Sequence, residues 1–346
     1  PPRTGFGSFN RSYHDSVPVL WTLSEPYGAR DWWPCKMTLT DKIDSIDIFV
    51  TTLSKYKAGS NGLLVETLQA NDTCTYHWKH RYPIATYLVG IAVTNYSEFS
   101  DTAHCTDGDV TILNYVYPEK LSEWKADAPS VVKFMEFYSQ KFGAYPFQKE
   151  KYGQAQFEWG GGMEHQTMSF VVNSSFELAA HEMAHQWFGD KLTCGSWQDI
   201  WLNEGFATYL SGLCYENIAP EWWMAFKQDR LSKVVRSPNG TLLCDDTTNV
   251  GRIFDGQLSY SKGAYLLHML RWKLGDAKFF QAIYNYVNDP QLVYSFTKTA
   301  LLQKHLENVS GENLTPFFDD WYYGQGYPTY ELEWAQDKNH KLDFQL

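Results

Sequence analysis

The sequence predicts an α+β protein: an antiparallel β domain, then a mixed and mostly helical domain, then a short stub. Three observations carry that expectation. Strand-like stretches fill the first third. Helical spacing takes over near residue 118. A glycine and proline break in "YGQGYP" then ends the helical part. The corresponding spans are 1–117, 118–327 and 328–346. A chain of 346 residues is too long for one simple core and fits two domains with part of a third.

Each element has a local reason. "KIDSIDIFVTT" alternates and then runs apolar, and "PIATYLVGIAVTNY" is rich in β-branched and aromatic residues, so both read as strands. "AGSNGLL" supplies a turn between strand candidates. "PEKLSEWKADAPSVVKFMEFYSQKFGAYPF" opens on Pro, places Val131, Val132, Phe134, Met135 and Tyr138 at helical spacing, and closes at Gly143 and Pro146. "KYGQAQFEW" and "QTMSFVV" read as strands on either side of Gly160, Gly161 and Gly162. From about 175 to 323 the pattern is mostly helical, and "TYELEW" reads as a strand of whatever follows. No repeat or low-complexity stretch is present.

Composition narrows the function classes. The hydrophobic fraction is 44% with no long polar tract, so disorder is not the default reading. A formal charge of −11 argues against nucleic acid as the partner, since phosphates attract Lys and Arg. No apolar run is long enough for a membrane span. The opening "PPRTGFGSFNRSYHD" carries no basic-then-apolar leader and reads like the middle of a longer polypeptide. Cys35, Cys74, Cys105, Cys194, Cys214 and Cys244 lack zinc-knuckle spacing; pairing and free buried thiols both stay open. Sequons stand at Asn10, Asn71, Asn95, Asn173, Asn239, Asn308 and Asn313. Acidity, sequons and cysteines together lean towards a periplasmic or extracellular location, with the compartment left open. The oligomeric state is not legible.

The chemistry concentrates in "HEMAHQWFGD". Residues four apart on an α-helix face nearly the same way, so His181 and His185 can offer imidazole nitrogens to one ion. "SSFELAAHEMAHQWFG" is a credible helix, capped by Ser174 or Ser175 and ended by Gly189. Glu182 stands beside the metal and suits a general base acting on activated water. His-Glu-x-x-His arises by chance in about one chain of this length in a hundred, so the site needs a third ligand. Glu204, with 18 residues between His185 and it in "WQDIWLNEGFATYL", supplies a carboxylate among apolar neighbours, costly there unless paired or metal-bound. Two His and one Glu leave a fourth position for water or substrate. Asp199 could orient a ligand imidazole or simply cap a helix.

These stretches together resemble the gluzincin aminopeptidases, the family of aminopeptidase N and the leukotriene epoxide hydrolase. "GGGMEH" at 160–165 is similar to that family's Gly-x-Met-Glu-Asn exopeptidase motif. "LSYSKGAYLLHML" resembles the segment bearing its catalytic tyrosine. "SEPYGARDWWPCK" resembles a recurring stretch of its N-terminal domain, and "WYYGQGYP" the end of its catalytic domain. The resemblance implies a partial N-terminal β domain and a thermolysin-like zinc metallopeptidase domain. It implies one Zn²⁺ held by His181, His185 and Glu204. It also implies peptide substrates with a free N-terminus, losing one residue at a time.

By the same resemblance Glu164 binds the substrate α-ammonium, and Tyr260, not the nearby Tyr265, donates its hydroxyl to the oxyanion. Gly160, Gly161 and Gly162, with Met163, let substrate backbone approach as an added strand, unless they form only a tight turn. The sequence departs from the family pattern twice. His165, expected among the substrate-binding residues with Glu164, Gly161, Gly162 and Met163, stands where Asn is usual and could still hydrogen-bond a backbone. Leu23 falls where an amine-binding Gln or Glu is expected, and Glu25 two residues on could compensate. Two other readings remain: a thermolysin-like endopeptidase, and a catalytically dead peptide-binding module on the same fold.

Overall fold

A computed structural model describes residues 6–236 and 238–345. Seven strands open the chain: β1 (Ser8–His14), β2 (Val17–Leu23), β3 (Ile46–Leu53), β4 (Lys57–Ser60), β5 (Leu63–Ala70), β6 (Thr73–His80) and β7 (Ile91–Thr94). They form two antiparallel sheets, of order β1-β2-β7-β4 and β3-β6-β5. Strict alternation in β6 buries Cys74, Tyr76, Trp78 and His80 on one face. The expected turn at Asn61–Gly62 does not tip a hairpin. It passes the chain from one sheet to the other, and the buried Asn61 amide donates to the carbonyls of Leu88 and Gln166. Only Ile91–Thr94 of "PIATYLVGIAVTNY" is strand. Thr86–Leu88 forms a 3₁₀ turn, tied by the Thr86 hydroxyl to the Lys36 carbonyl.

A third sheet carries the site. It runs β11-β12-β10-β9-β8, from β8 (Ser97–Cys105), β9 (Gly108–Val116), β10 (Tyr152–Gln156), β11 (Gly162–Met163) and β12 (Ser169–Val171). β9 pairs parallel with β10 across the long helix α1 (Leu121–Phe142), so one sheet continues through the span boundary expected at 117–118. The local pattern of β8 and β9 could not show this, because their sheet membership depends on partners beyond α1. α1 buries Trp124, Ala128, Val131, Met135, Tyr138 and Phe142, each three or four residues on, which is the amphipathic stripe of a core-facing helix.

Helices follow: α2 (Phe176–Ala184), α3 (Trp201–Ile218), α4 (Trp223–Arg236), α5 (Val250–Ile253), α6 (Gly263–Leu274), α7 (Asp276–Val287), α8 (Thr299–Ser310) and α9 (Thr315–Phe318). Strands β13 (Leu192–Cys194) and β14 (Ser295–Thr297) pair in parallel among them. A final hairpin, β15 (Glu333–Gln336) with β16 (Leu342–Gln345), is exposed throughout. The α+β class and its order, β sheets before a helical region, are as the sequence predicted. One core joins α1, α2, α3 and α6 to α8, and a second joins the first two sheets to β10 and β12. All six cysteines are free thiols, four of them buried. No described helix is long and apolar enough to cross a membrane.

α3 and α6 touch backbone to backbone. A Cβ on Gly205 would lie 2.9 Å from the Gly263 Cα, and one on Gly263 equally close to the Gly205 Cα. Gly205→Ala must therefore push the helices apart, and overpacking of this kind costs about 1–3 kcal/mol. Urea denaturation should show that loss, and Glu204, next in the chain, should shift with it.

Lys151, buried between the β domain and β10, donates to the carbonyls of Ser60 at 3.2 Å and Thr167 at 2.7 Å. Burial pushes its ammonium from 10.5 down to about 7, with Glu150 pulling the other way. Below pH 7 the group is charged folded and unfolded, and the burial penalty is complete. Between about 7 and 10.5 only the unfolded chain binds the proton, so this group makes stability rise with pH. Urea midpoints at pH 7 and 9 should diverge more for wild type than for Lys151→Met.

Candidate active site

Ser175 precedes α2, and its side chain makes no cap; Asn173 Oδ1 accepts from the Ser175 N–H instead, and the Ser174 hydroxyl donates to Asp127. The helix is shorter than the sequence implied, ending at Ala184 rather than Gly189. His185 nonetheless keeps helical angles (φ −58°, ψ −26°), so both imidazoles still face one way. Their Nε2 atoms lie 3.1 Å apart. Glu204, in the first turn of α3, places Oε2 3.2 Å from His181 Nε2 and 3.4 Å from His185 Nε2.

Those separations test the fit of a metal. Donors about 2.0–2.2 Å from a tetrahedral zinc stand roughly 3.3 Å from each other. The observed triangle matches. His185 Nδ1 bonds the Phe188 carbonyl at 3.0 Å, which puts the ring proton on Nδ1 and leaves Nε2 as a lone-pair donor. Asp199 plays no part in this. Its Oδ1 accepts from Thr299 and from the Tyr322 hydroxyl at 2.8 Å, fastening the start of α3 to α8 and to the π-helical turn at Asp319–Tyr323. Nothing in the sequence near Asp199 could reveal partners so distant.

The ligands sit in a cleft of about 590 Å³. Glu182 lines it, buried, with Oε2 unpartnered. Tyr260 projects from a π-helical turn, Gly256–Lys262, and stacks on His181 at 5.9 Å and 14°. Asp255 caps that turn by accepting from the Gln257 and Leu258 amides. Tyr265 lies outside the cleft, against Trp223 and His268.

At one end stand Glu164 and Glu25, each with a buried, unpartnered oxygen, and these approach Glu204 within 4.8 Å. Leu23, where a carboxylate or amide was expected, lines the wall of the same cleft. Gly161, Gly162 and Met163 line the cleft; Gly160 does not. A Cβ on Gly162 would collide with the Glu182 carboxylate, so only glycine lets β11 run this close. His165 turns away from the cleft. It is wholly buried over Phe170, at 4.2 Å, and against Gly90, so it cannot touch a substrate, and burial lowers its ring to about 3.

The electrostatics ask for a cation. Burial raises Glu25 and Glu182 well above the ordinary carboxylate value, and neighbouring carboxylates add to it. Burial likewise raises Glu164, to about 7. Glu204 moves the other way, to about 2: burial opposes ionisation, but the two imidazoles outweigh it. Sequence reasoning missed two features. Phe6, Trp159 and Phe254 form an aromatic wall, with Phe6 5.0 Å from Trp159 and 5.3 Å from Phe254. Arg230 of α4 pairs with Glu177, and both line the cleft. The spacing of Glu177, one turn before His181, was the only available signal for that pair.

The profile of the "Peptidase family M1 domain" matches residues 127–321. The chain belongs to peptidase family M1. This bears out the gluzincin aminopeptidase resemblance. A leucyl aminopeptidase of Saccharolobus solfataricus is 28% identical over 357 residues, covering 93% of this chain and 43% of the relative. Aminopeptidase M1-C of Oryza sativa subsp. japonica is 30% identical over 296 residues, covering 78% and 33%. The chain thus spans less than half the length of the curated relatives it matches. Among solved structures, an M1 zinc metallopeptidase from Deinococcus radiodurans superposes with TM-score 0.78 at 26% identity, covering 92% of this chain and 72% of that one. A mutant of that enzyme bound to a Tyr-Ser-Ala substrate matches at the same TM-score and identity.

Losing a donor from the triangle should abolish metal retention. Glu204→Gln and His185→Ala should each lower bound zinc, by mass spectrometry, more than the roughly 10- to 100-fold that a lost outer partner costs. Far-ultraviolet dichroism should stay near wild type in both.

Proposed function

We propose that this chain is a zinc-dependent metallo-aminopeptidase, removing single residues from the free N-terminus of peptides. One observation carries the reading: a three-donor metal triangle shares a cleft with a buried general base and, at one end, with two unpaired buried carboxylates. His181, His185 and Glu204 would hold one Zn²⁺. A bound zinc supplies Lewis acidity, polarising a carbonyl and easing ionisation of water.

The chain's own residues account for the remainder. Glu164 and Glu25 face the substrate α-ammonium, and their carboxylates close that end to a longer chain. Gly161, Gly162 and Met163 offer main-chain groups on the outer edge of β11, so the substrate backbone lies as an added strand. Glu182 takes a proton from the attacking water and returns it to the leaving amine. The Tyr260 hydroxyl donates to the carbonyl oxygen as it gains charge. The peptide-bound M1 relative supports this choice of substrate.

Glu182→Gln should lower kcat on aminoacyl arylamides by about 10²- to 10⁴-fold, and Tyr260→Phe by about 10²- to 10³-fold, with zinc retained. N-acetylation of the substrate should abolish cleavage. Equal rates on free and acetylated peptides would favour the endopeptidase reading. Full zinc occupancy with no turnover of either would favour a peptide-binding module.

A further inference from the structure

The segment that bears Glu164 contains one backbone anomaly. Thr167 has φ +65°, the left-handed region, where a β-branched residue is a genuine outlier. Such conformations persist only where the surroundings over-determine them. Here all three polar groups of Thr167 are engaged by different parts of the molecule. Its N–H donates to Gln186 Oε1 at 2.8 Å. Its hydroxyl accepts from the Gly62 amide at 2.8 Å. Its carbonyl accepts from Lys151 Nζ at 2.7 Å.

The preceding residue is held as firmly. The Gln166 carbonyl accepts from Asn61 at 2.6 Å, and its side-chain amide donates to His80 Nε2 at 2.7 Å. His80 Nδ1 in turn bonds the buried Glu150 at 2.6 Å. Gln166 and Thr167 are fully buried. None of the residues in this network lines the cleft.

We infer that Gln186 and Thr167 are positioning residues, fixing the amine anchor Glu164 relative to the metal-ligand helix. Gln186 directly follows the ligand His185, and Thr167 lies three residues after Glu164. The Gln186–Thr167 bond is therefore a short strut between the two halves of the site. Gln186 can accept only through its oxygen here, since the partner is an N–H donor. Glu164 Oε1 has no hydrogen-bond partner; the carboxyl also faces the Tyr87 side chain, and the backbone behind it sets where it stands. That backbone is set by the strut and by the Gly62 and Lys151 contacts.

This inference rests on the aminopeptidase reading for its kinetic consequence. Small misplacements of a positioning group carry large kinetic effects, about 10²-fold for 1 Å. Gln186→Met keeps the length of the side chain and removes the acceptor. It should raise KM for free-amine arylamides about 10- to 100-fold, with kcat and zinc content changed much less. A merely structural role would instead lower the active fraction and leave KM alone. Thr167→Gly retains the N–H and the C=O but loses the hydroxyl that accepts from the Gly62 amide; it should raise KM in the same direction as Gln186→Met, and by less.

Amide hydrogen exchange at Thr167 tests the strut without any turnover: protected in wild type, exposed in Gln186→Met. A wild-type KM in Gln186→Met, or unchanged protection at Thr167, overturns the inference. Wild-type protein that cleaves free and acetylated substrates alike overturns the aminopeptidase reading instead, and leaves the exchange result to decide the strut.

Discussion

Like charges crowded into low dielectric govern this molecule. Glu25, Glu164, Glu182 and Glu204 are each nearly inaccessible to solvent and share one cleft. Carboxylates cannot be buried together as anions unless positive charge meets them. The His181 and His185 imidazoles meet part of that demand, holding the Glu204 carboxyl low against its burial. A divalent cation and a substrate ammonium would meet the remainder. Ligand binding and charge balance are one requirement seen from two ends.

The scaffold is arranged to hold that unfavourable cluster in place. Its groups arrive on four separate supports: the turn after β2, the segment after the short edge strand β11, α2 with its helical extension, and α3. Tyr260 comes on a fifth, the π-helical turn. Bare glycine backbone sits where supports approach closest, at Gly162 against Glu182 and at Gly205 against Gly263. Side chains there would separate groups that must lie within a few ångströms. The buried Lys151 and the His80–Glu150 pair do comparable work at the seam between the β domain and the site sheet.

Much of the metal site was legible in the sequence because its geometry is local. Helical period alone puts His181 and His185 on one face, and Glu204 announces itself as an acidic residue in an apolar helix. Glu164 and Tyr260 were legible only through the resemblance of the motifs around them. Glu25 was half legible, since Leu23 held the expected place and only the folded turn after β2 brings the Glu25 carboxyl into the cleft beside it. His165 was expected to contact substrate because it adjoins Glu164, yet beyond the end of β11 the Glu164 side chain enters the cleft and the His165 ring packs on Phe170. Asp199, the Arg230–Glu177 pair and the aromatic wall were beyond reach, because their partners stand tens to hundreds of residues away. The sheet shared by β8, β9 and β10 was hidden for the same reason.

The turn that carries Tyr260 differs from its neighbours in winding. A π-helix takes more residues per revolution than an α-helix, and such segments usually stand for one residue inserted into an ordinary helix. Register there depends on how many residues occupy Gly256–Lys262, not on which ones. Deleting a single position would rewind the segment and swing the phenol by about 100°, one α-helical step. A length change too small to disturb the hydrophobic core would thus disconnect the phenol from His181, and residue count becomes a constraint as strict as chemical identity.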